Sequence, residues 1–317
     1  MTGAPPGQQQ PAAAFILKPV APFDIQRTGG YLSNVGGRAG ADGLQDGAYW
    51  RLLDLEGKLT LASVRSLGSL AAPELEVELW GSALSQEEQQ TAAAQLSWQL
   101  GTEQDLTAFY ELAQSDPAMA GLTQQFYGQH LPHVASVFEA LVLAVIGQQV
   151  TTHLARAIRT LLVQTYGRQF SFAGDTFYAF PKPEALLAAS VEELRGLKLS
   201  QRKAEYIQGL AQAALEPNGG LDSLEALPDT AVLERLTALR GVGIWTAQWA
   251  MVRALGRMDV FPTGDLALRR AALQLYGPEY AHEKRLEAFS RRWSPWRTYA
   301  TLYLFTALRE GMTGGKK

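Results

Sequence analysis

Hydrophobic and polar positions follow two different periods along this chain. Early on they alternate. Phe15-Ile16-Leu17 opens a region of period-two patterning, and Tyr49 to Val64 alternates on both sides of Glu56-Gly57, which predicts a hairpin. Leu75, Val77 and Leu79 alternate with Glu74, Glu76 and Glu78, the signature of a half-buried strand with an acidic outer face. Ser85 with Glu88 three residues on is a capping box, so a helix is expected from there to about Leu100. From Asp105 onward the pattern turns helical and is expected to stay so. Phe138, Leu141, Val142, Val145 and Ile146 make a buried stripe, broken by Gly147-Gln148-Gln149-Val150-Thr151 before a helix resumes through Ala155 to Leu162. The expected fold is an α+β N-terminal domain, a small antiparallel sheet with helices, followed by an all-α domain of two helical subdomains. The predicted boundaries are a disordered tail over 1–13, the α+β domain over 14–100, the helical domain over 101–311 and a flexible tail over 312–317.

Composition narrows the class. With 317 residues, 47% hydrophobic and 19% charged, the chain reads as soluble and globular, with no apolar run long enough for a bilayer. The start, MTGAPPGQQQPAAA, lacks the basic residues and continuous apolar core of a signal peptide, so a cytoplasmic, nucleoid-associated location is expected. Zero cysteines exclude disulfides, zinc–cysteine sites and iron–sulfur clusters. A net charge of -3 argues against nucleic acid, but Leu266 to Lys317 carries ten Lys and Arg against four Glu. His130-x-x-His133 has no carboxylate or cysteine nearby and reads as surface. Neither a zinc-deaminase pattern nor a phosphate-binding loop of the G-x-x-x-x-G-K-[ST] type is present.

The chemistry gathers between Leu236 and Arg270. A helical end, Leu236 to Arg240, runs into the tight turn Gly241-Val242-Gly243, and a second helix starts at Ile244-Trp245-Thr246-Ala247. Two glycines let the backbone take positive φ and approach a ligand closely, and the open N–H groups of the second helix form an anion site. The same residues also describe a plain αα-corner. Nineteen residues beyond Thr246, after Pro262 and Gly264, Asp265 sits where a new helix begins, either as its N-cap or as a carboxylate at the mouth of a cleft.

The hairpin L-x-G-V-G-x-W-T-A followed by V-F-P-x-G-D resembles the helix-hairpin-helix DNA glycosylases, and within them the 3-methyladenine DNA glycosylase II (AlkA) branch. The likeness extends to Ala21-Pro22-Phe23-Asp24 with Gly30-Tyr31-Leu32, to Leu197-Lys198-Leu199-Ser200 with Arg202 and Lys203, and to Trp293-Ser294-Pro295-Trp296. It implies a helix-hairpin-helix glycosylase domain and double-stranded DNA with alkylated bases as the partner of a monomeric enzyme. It also implies base flipping followed by hydrolysis of the N-glycosidic bond.

By the same resemblance Asp265 is the catalytic carboxylate. Trp245, Trp249, Tyr31 and Phe305 line the base pocket, although Tyr31 could equally pack between domains. Gly241, Gly243 and Thr246 hold a DNA phosphate, and the backbone carbonyls of Thr237, Leu239 and Val242 bind Na+ or K+ when DNA is present; no other cofactor is implied. Gln149 matches the residue that fills the gap left by the flipped nucleotide, and a solvated turn is the alternative. Arg202 and Lys203 could meet the DNA backbone, or simply be solvated at a helix start.

Trp245 stands where relatives that also cut the strand carry a Schiff-base lysine, so a monofunctional glycosylase is expected. The rivals are a bifunctional glycosylase/lyase for oxidised bases and a non-catalytic DNA-binding module.

Overall fold

The computed structural model describes residues 10–36, 42–217 and 220–312. Of the expected tails, 1–9 and 313–317 lie outside the described residues, and Ala13, assigned above to the N-terminal tail, is instead the first residue of a strand.

Five strands form an antiparallel sheet: β1 (Ala13–Leu17), β2 (Asp42–Gln45), β3 (Ala48–Leu55), β4 (Lys58–Ser66) and β5 (Leu75–Gly81), in the order β1-β5-β4-β3-β2. The expected hairpin joins β3 to β4, with Leu55 opposite Lys58 and both Glu56 and Gly57 at positive φ. Two helices accompany the sheet, α1 (Ile25–Gly36) and α2 (Gln86–Leu100). α2 starts at Ser85, whose side chain accepts from the Glu88 amide while Glu88 reaches back to the Ser85 amide.

Alternation decides what each face of the sheet meets. Tyr49, Leu53, Leu55, Ala62 and Val64 share a core with Ala92, Leu96 and Leu100 of α2. Leu52 and Leu61 face the other way, into an aromatic cluster of Trp50, Trp80, Phe170, Phe172 and Phe177. The phenylalanines come from β6 (Gln169–Phe172) and β7 (Asp175–Tyr178), a hairpin well inside the region expected to be wholly helical. Its signal was present: Gln-Phe-Ser-Phe alternates, and Ala173-Gly174 makes a turn with both φ positive. Arg168 and Lys182, on either side of it, both pair with Asp54 at the end of β3.

The remaining elements are helical: α3 (Thr107–Ala113), α4 (Pro117–Gln125), α5 (Val137–Gly147), α6 (Thr152–Tyr166), α7 (Pro183–Ala188), α8 (Val191–Gly196), α9 (Gln201–Ala214), α10 (Asp229–Thr237), α11 (Ile244–Arg253), α12 (Leu266–Tyr276), α13 (Glu283–Ser290) and α14 (Arg297–Arg309). Their apolar faces merge into one core running from Leu106 to Ala307, with α5 buried on nearly every side. No described helix is long and apolar enough to cross a membrane.

A buried ionic network fastens the sheet to the helices. Arg51 of β3 pairs with Asp42 of β2 at 3.6 Å and with Glu139 of α5 at 3.4 Å, and Arg159 of α6 pairs with Asp42 at 3.2 Å. Burial opposes the Arg51 charge, but Glu139 and Asp42 outweigh it and raise its pKa above the ordinary value. Such a network fixes orientation more than it stabilises, because desolvation consumes most of the Coulomb gain.

The two histidines expected at the surface are buried. The His130 ring nitrogens lie 2.7 Å from the Gly101 carbonyl and 2.8 Å from that of Pro22, so a neutral ring can donate to only one of them. His133 stacks on Trp98 at 4.3 Å. Burial lowers both pKa values; for His133, burial and the nearby Arg253 charge bring it down to about 3. Sequence distance hid this, since the partners come from the N-terminal domain and from α11.

Candidate active site

The hairpin forms as expected but uses its glycines differently. Gly241 has φ +88, and a Cβ there would come within 2.3 Å of the Tyr206 ring, so both conformation and close packing require glycine. Gly243 does not take positive φ. It is extended (φ -86, ψ 176) in open space, where it is the N-cap of α11. The cap supplies no side-chain hydrogen bond to the first-turn amides of α11, and Gly243 and Ile244 at that end are exposed. Thr246 points the other way: it is buried, and its hydroxyl accepts from Gln148 Nε2 at 3.0 Å.

The same Gln148 nitrogen donates to the Gly241 carbonyl, also at 3.0 Å, tying the α5–α6 turn to the hairpin. Of the carbonyls expected to hold a cation, Thr237 and Leu239 lie at and just beyond the C-terminal end of α10, the negative end of its dipole. Leu239 O accepts the Val242 amide at 3.1 Å.

One turn apart on α11, Trp245 and Trp249 share a face, with ring centroids 6.2 Å apart and edge to face. Trp249 stacks on Phe305 of α14 at 5.8 Å. Asp265 joins the two indoles: its Oδ2 accepts from Trp245 Nε1 at 2.8 Å and from Trp249 Nε1 at 3.4 Å. Its Oδ1 caps α12, accepting from the Ala267 and Leu268 amides at 2.8 and 3.1 Å. Of the alternatives left open by the sequence, the N-cap is realised, and the second carboxylate oxygen of the same side chain is taken by the two indoles. Four N–H donors fix its rotamer while leaving it half-buried rather than sealed.

Tyr31 of α1 is buried among the residues of the helical core. Arg253, four residues past Trp249, and Arg309, four past Phe305, lie over its ring at 5.5 and 4.5 Å. Arg253 is itself buried, and burial lowers its pKa. Ile244 and Leu266, the first residues of α11 and α12, are apolar yet 63% and 74% exposed, so a hydrophobic rim stands beside the carboxylate.

Gln149 lies in the turn after α5, exposed and with φ +53. Sequence reading missed how that turn is held. Lys203, near the start of α9, donates to the carbonyls of Ile146 and Gln148 at 2.8 and 2.6 Å. It therefore engages the protein's own backbone rather than standing free for DNA, and its partial burial lowers its pKa. The paired amides were visible in sequence, but their partners lie 55 to 98 residues away.

Comparison with known proteins matches residues 142–295 to the HhH-GPD superfamily of base excision DNA repair proteins. The chain is 30% identical to a DNA-3-methyladenine glycosylase of Bacillus subtilis over 206 residues, 64% of this chain and 68% of that protein. It is 32% identical over 290 residues to a probable bifunctional transcriptional activator/DNA repair enzyme AlkA of Mycobacterium tuberculosis, covering 91% of this chain but 55% of the relative. Among solved structures, the 3-methyladenine DNA-glycosylase from Archaeoglobus fulgidus superposes with a TM-score of 0.81 at 27% identity, over 93% of this chain and 98% of that one. Sequence, fold and the hairpin geometry agree that the chain belongs to the HhH-GPD superfamily of base excision DNA repair glycosylases, in its AlkA-like branch.

Proposed function

We propose that this protein is a monofunctional DNA glycosylase that flips alkylated bases such as 3-methyladenine out of duplex DNA and hydrolyses the N-glycosidic bond. The observation that carries this reading is the Asp265 carboxylate, held by two indole N–H groups and two helix amides beside the hairpin. Glycosidic cleavage builds positive charge on the sugar, and a fixed anion next to it lowers the barrier without reorganising. Asp265 would also orient the attacking water.

Trp245 and Trp249, the latter backed by Phe305, would offer flat faces against which a cationic purine gains cation–π attraction, and Tyr31 would belong to the same pocket. An alkylated base already carries its charge and leaves easily, which suits a site with one carboxylate and no separate acid. Gly241, Gly243 and Thr246 would present amides to a phosphate, and the carbonyls of Thr237, Leu239 and Val242 would hold a Na+ or K+ bridging to it. Gln149 would occupy the space the flipped nucleotide leaves, its amide able to bond the orphaned base. The lyase reading is disfavoured because the indole of Trp245 offers no amine.

Base release from methylated duplex DNA tests this, run beside Asp265→Asn and followed by alkali. Release by the wild type, loss in the variant and strand breaks only after alkali are expected. Breaks without alkali would establish a lyase, and binding without release of any lesion would leave only a DNA-binding module.

A further inference from the structure

The turn Gly147-Gln148-Gln149-Val150 has a demanding shape. Gln149 is a non-glycine residue in the left-handed region, exposed, and flanked by the ends of two helices. A side chain there adopts that backbone only when its surroundings over-determine it. The last carbonyls of α5 have no partners within their own helix, so they are available to an outside donor.

Lys203 is that donor. Its ammonium bonds the Ile146 carbonyl at 2.8 Å and the Gln148 carbonyl at 2.6 Å, gripping the turn on the side of α9. From the other side, Gln148 Nε2 bonds the Gly241 carbonyl and the Thr246 hydroxyl. α9 also carries Tyr206, against which Gly241 packs, and Glu205, which pairs with Arg240 at 3.0 Å. The first two turns of one helix thus set both the hairpin and the Gln149 turn. A positive charge at the C-terminal end of α5 also meets the favourable end of its dipole.

We propose that Lys203 is a positioning residue for excision, holding the Gln149 turn in the shape from which Gln149 enters the duplex. The inference rests on the excision reading above. It assigns Lys203 to the opening of a paired site and not to the bond-breaking step. Its loss should therefore matter only where the lesion must be drawn from a base pair.

The test is single-turnover base release by the full chain from two DNAs carrying the same methylated purine, one paired and one opposite an abasic site. Lys203→Met removes two charge-assisted bonds and should slow release from the paired substrate by about tenfold or more, and from the unpaired one by no more than about twofold. Gln149→Ala should show the same selectivity, and combining the two should add little to either. Lys203→Arg, which can still donate to both carbonyls, should recover most of the paired-substrate rate.

Equal slowing on both substrates would overturn the proposal in favour of general destabilisation, and an unchanged paired-substrate rate would overturn it outright. So would selective slowing in Lys203→Met with none in Gln149→Ala. Wild-type protein that releases base from neither DNA, while Asp265→Asn behaves identically, would sink the excision reading and this inference with it. Release by the wild type with Lys203 indifferent would sink the inference alone.

Discussion

Asp265 and Asp116 are built from the same local parts. Each is the N-cap of a helix, each caps through Oδ1 and each offers Oδ2 to an indole. Asp116 accepts from the Met119 amide at 3.1 Å, from Tyr276 Oη at 3.2 Å and from Trp293 Nε1 at 3.1 Å. It is 3% exposed, sealed among α4, α12 and the residues leading into α14. Burial, then the Asp116 charge, raises the Tyr276 pKa well above its ordinary value, which keeps the hydroxyl a donor. Asp265 has the same kinds of partner but stands half-buried beside an exposed hairpin. What separates the two carboxylates is access, not ligation. A sealed anion can only hold its donors together, whereas a half-buried one is open to charge that arrives from outside, as the proposed reaction requires of Asp265.

The two aspartates should therefore fail in different ways. Asp265→Asn keeps an acceptor for the cap, because Asn is an equally good N-cap, so the fold should survive. It removes the charge and turns an NH2 group toward the two indole N–H donors, so some stability is lost, and loss of base release by about 100- to 1,000-fold is expected, read as the single-turnover rate per folded molecule. A variant retaining most of its rate would place the chemistry elsewhere. Asp116→Ala should do the reverse. It strands the Trp293 N–H and the Tyr276 hydroxyl, costing about 2–4 kcal/mol of stability in denaturant titration while the rate per folded molecule holds.

Acid should act on stability through a different buried group, beside Trp98 and Arg253 rather than at Asp116. His133 has a folded pKa of about 3, below the unfolded value near 6.5, so its neutral form is favoured by folding. Its contribution is complete above pH 6.5 and drains as pH falls toward 3, amounting to about 2 kcal/mol by pH 5. Wild type and Asp265→Asn should share that acid limb in melts between pH 7.5 and 5, while His133→Phe flattens it. A limb unchanged in His133→Phe would assign the sensitivity to other groups.

The smallest effect belongs to the indole donors. Trp245→Phe keeps an aromatic face but leaves Asp265 Oδ2 only the longer bond to Trp249, and about a tenfold loss in single-turnover rate is expected. No change would mean that the helix amides alone position the carboxylate.

Much of this was legible along the chain, for reasons that are local. Period-two alternation showed the main strands, because one face of each is buried. The pair Ser85 and Glu88 marked the start of α2, because a capping box is satisfied within four residues. The β6–β7 hairpin shows the limit of that reading: its alternation is short, and it becomes ordered against the aromatic face of a sheet far away in sequence.

The site divides along the same line. The glycines of the hairpin, Trp245 in the lysine slot and the spacing to Asp265 were all determined by the sequence itself. Only the tertiary structure decided that Trp245 and Trp249 spend their N–H groups on Asp265, that Lys203 and Gln148 grip the Gln149 turn, and that His130 and His133 are buried. A side chain's partner is fixed by whatever folding brings next to it. For these residues the partners arrive from elements up to 108 positions away, a distance that no local pattern encodes.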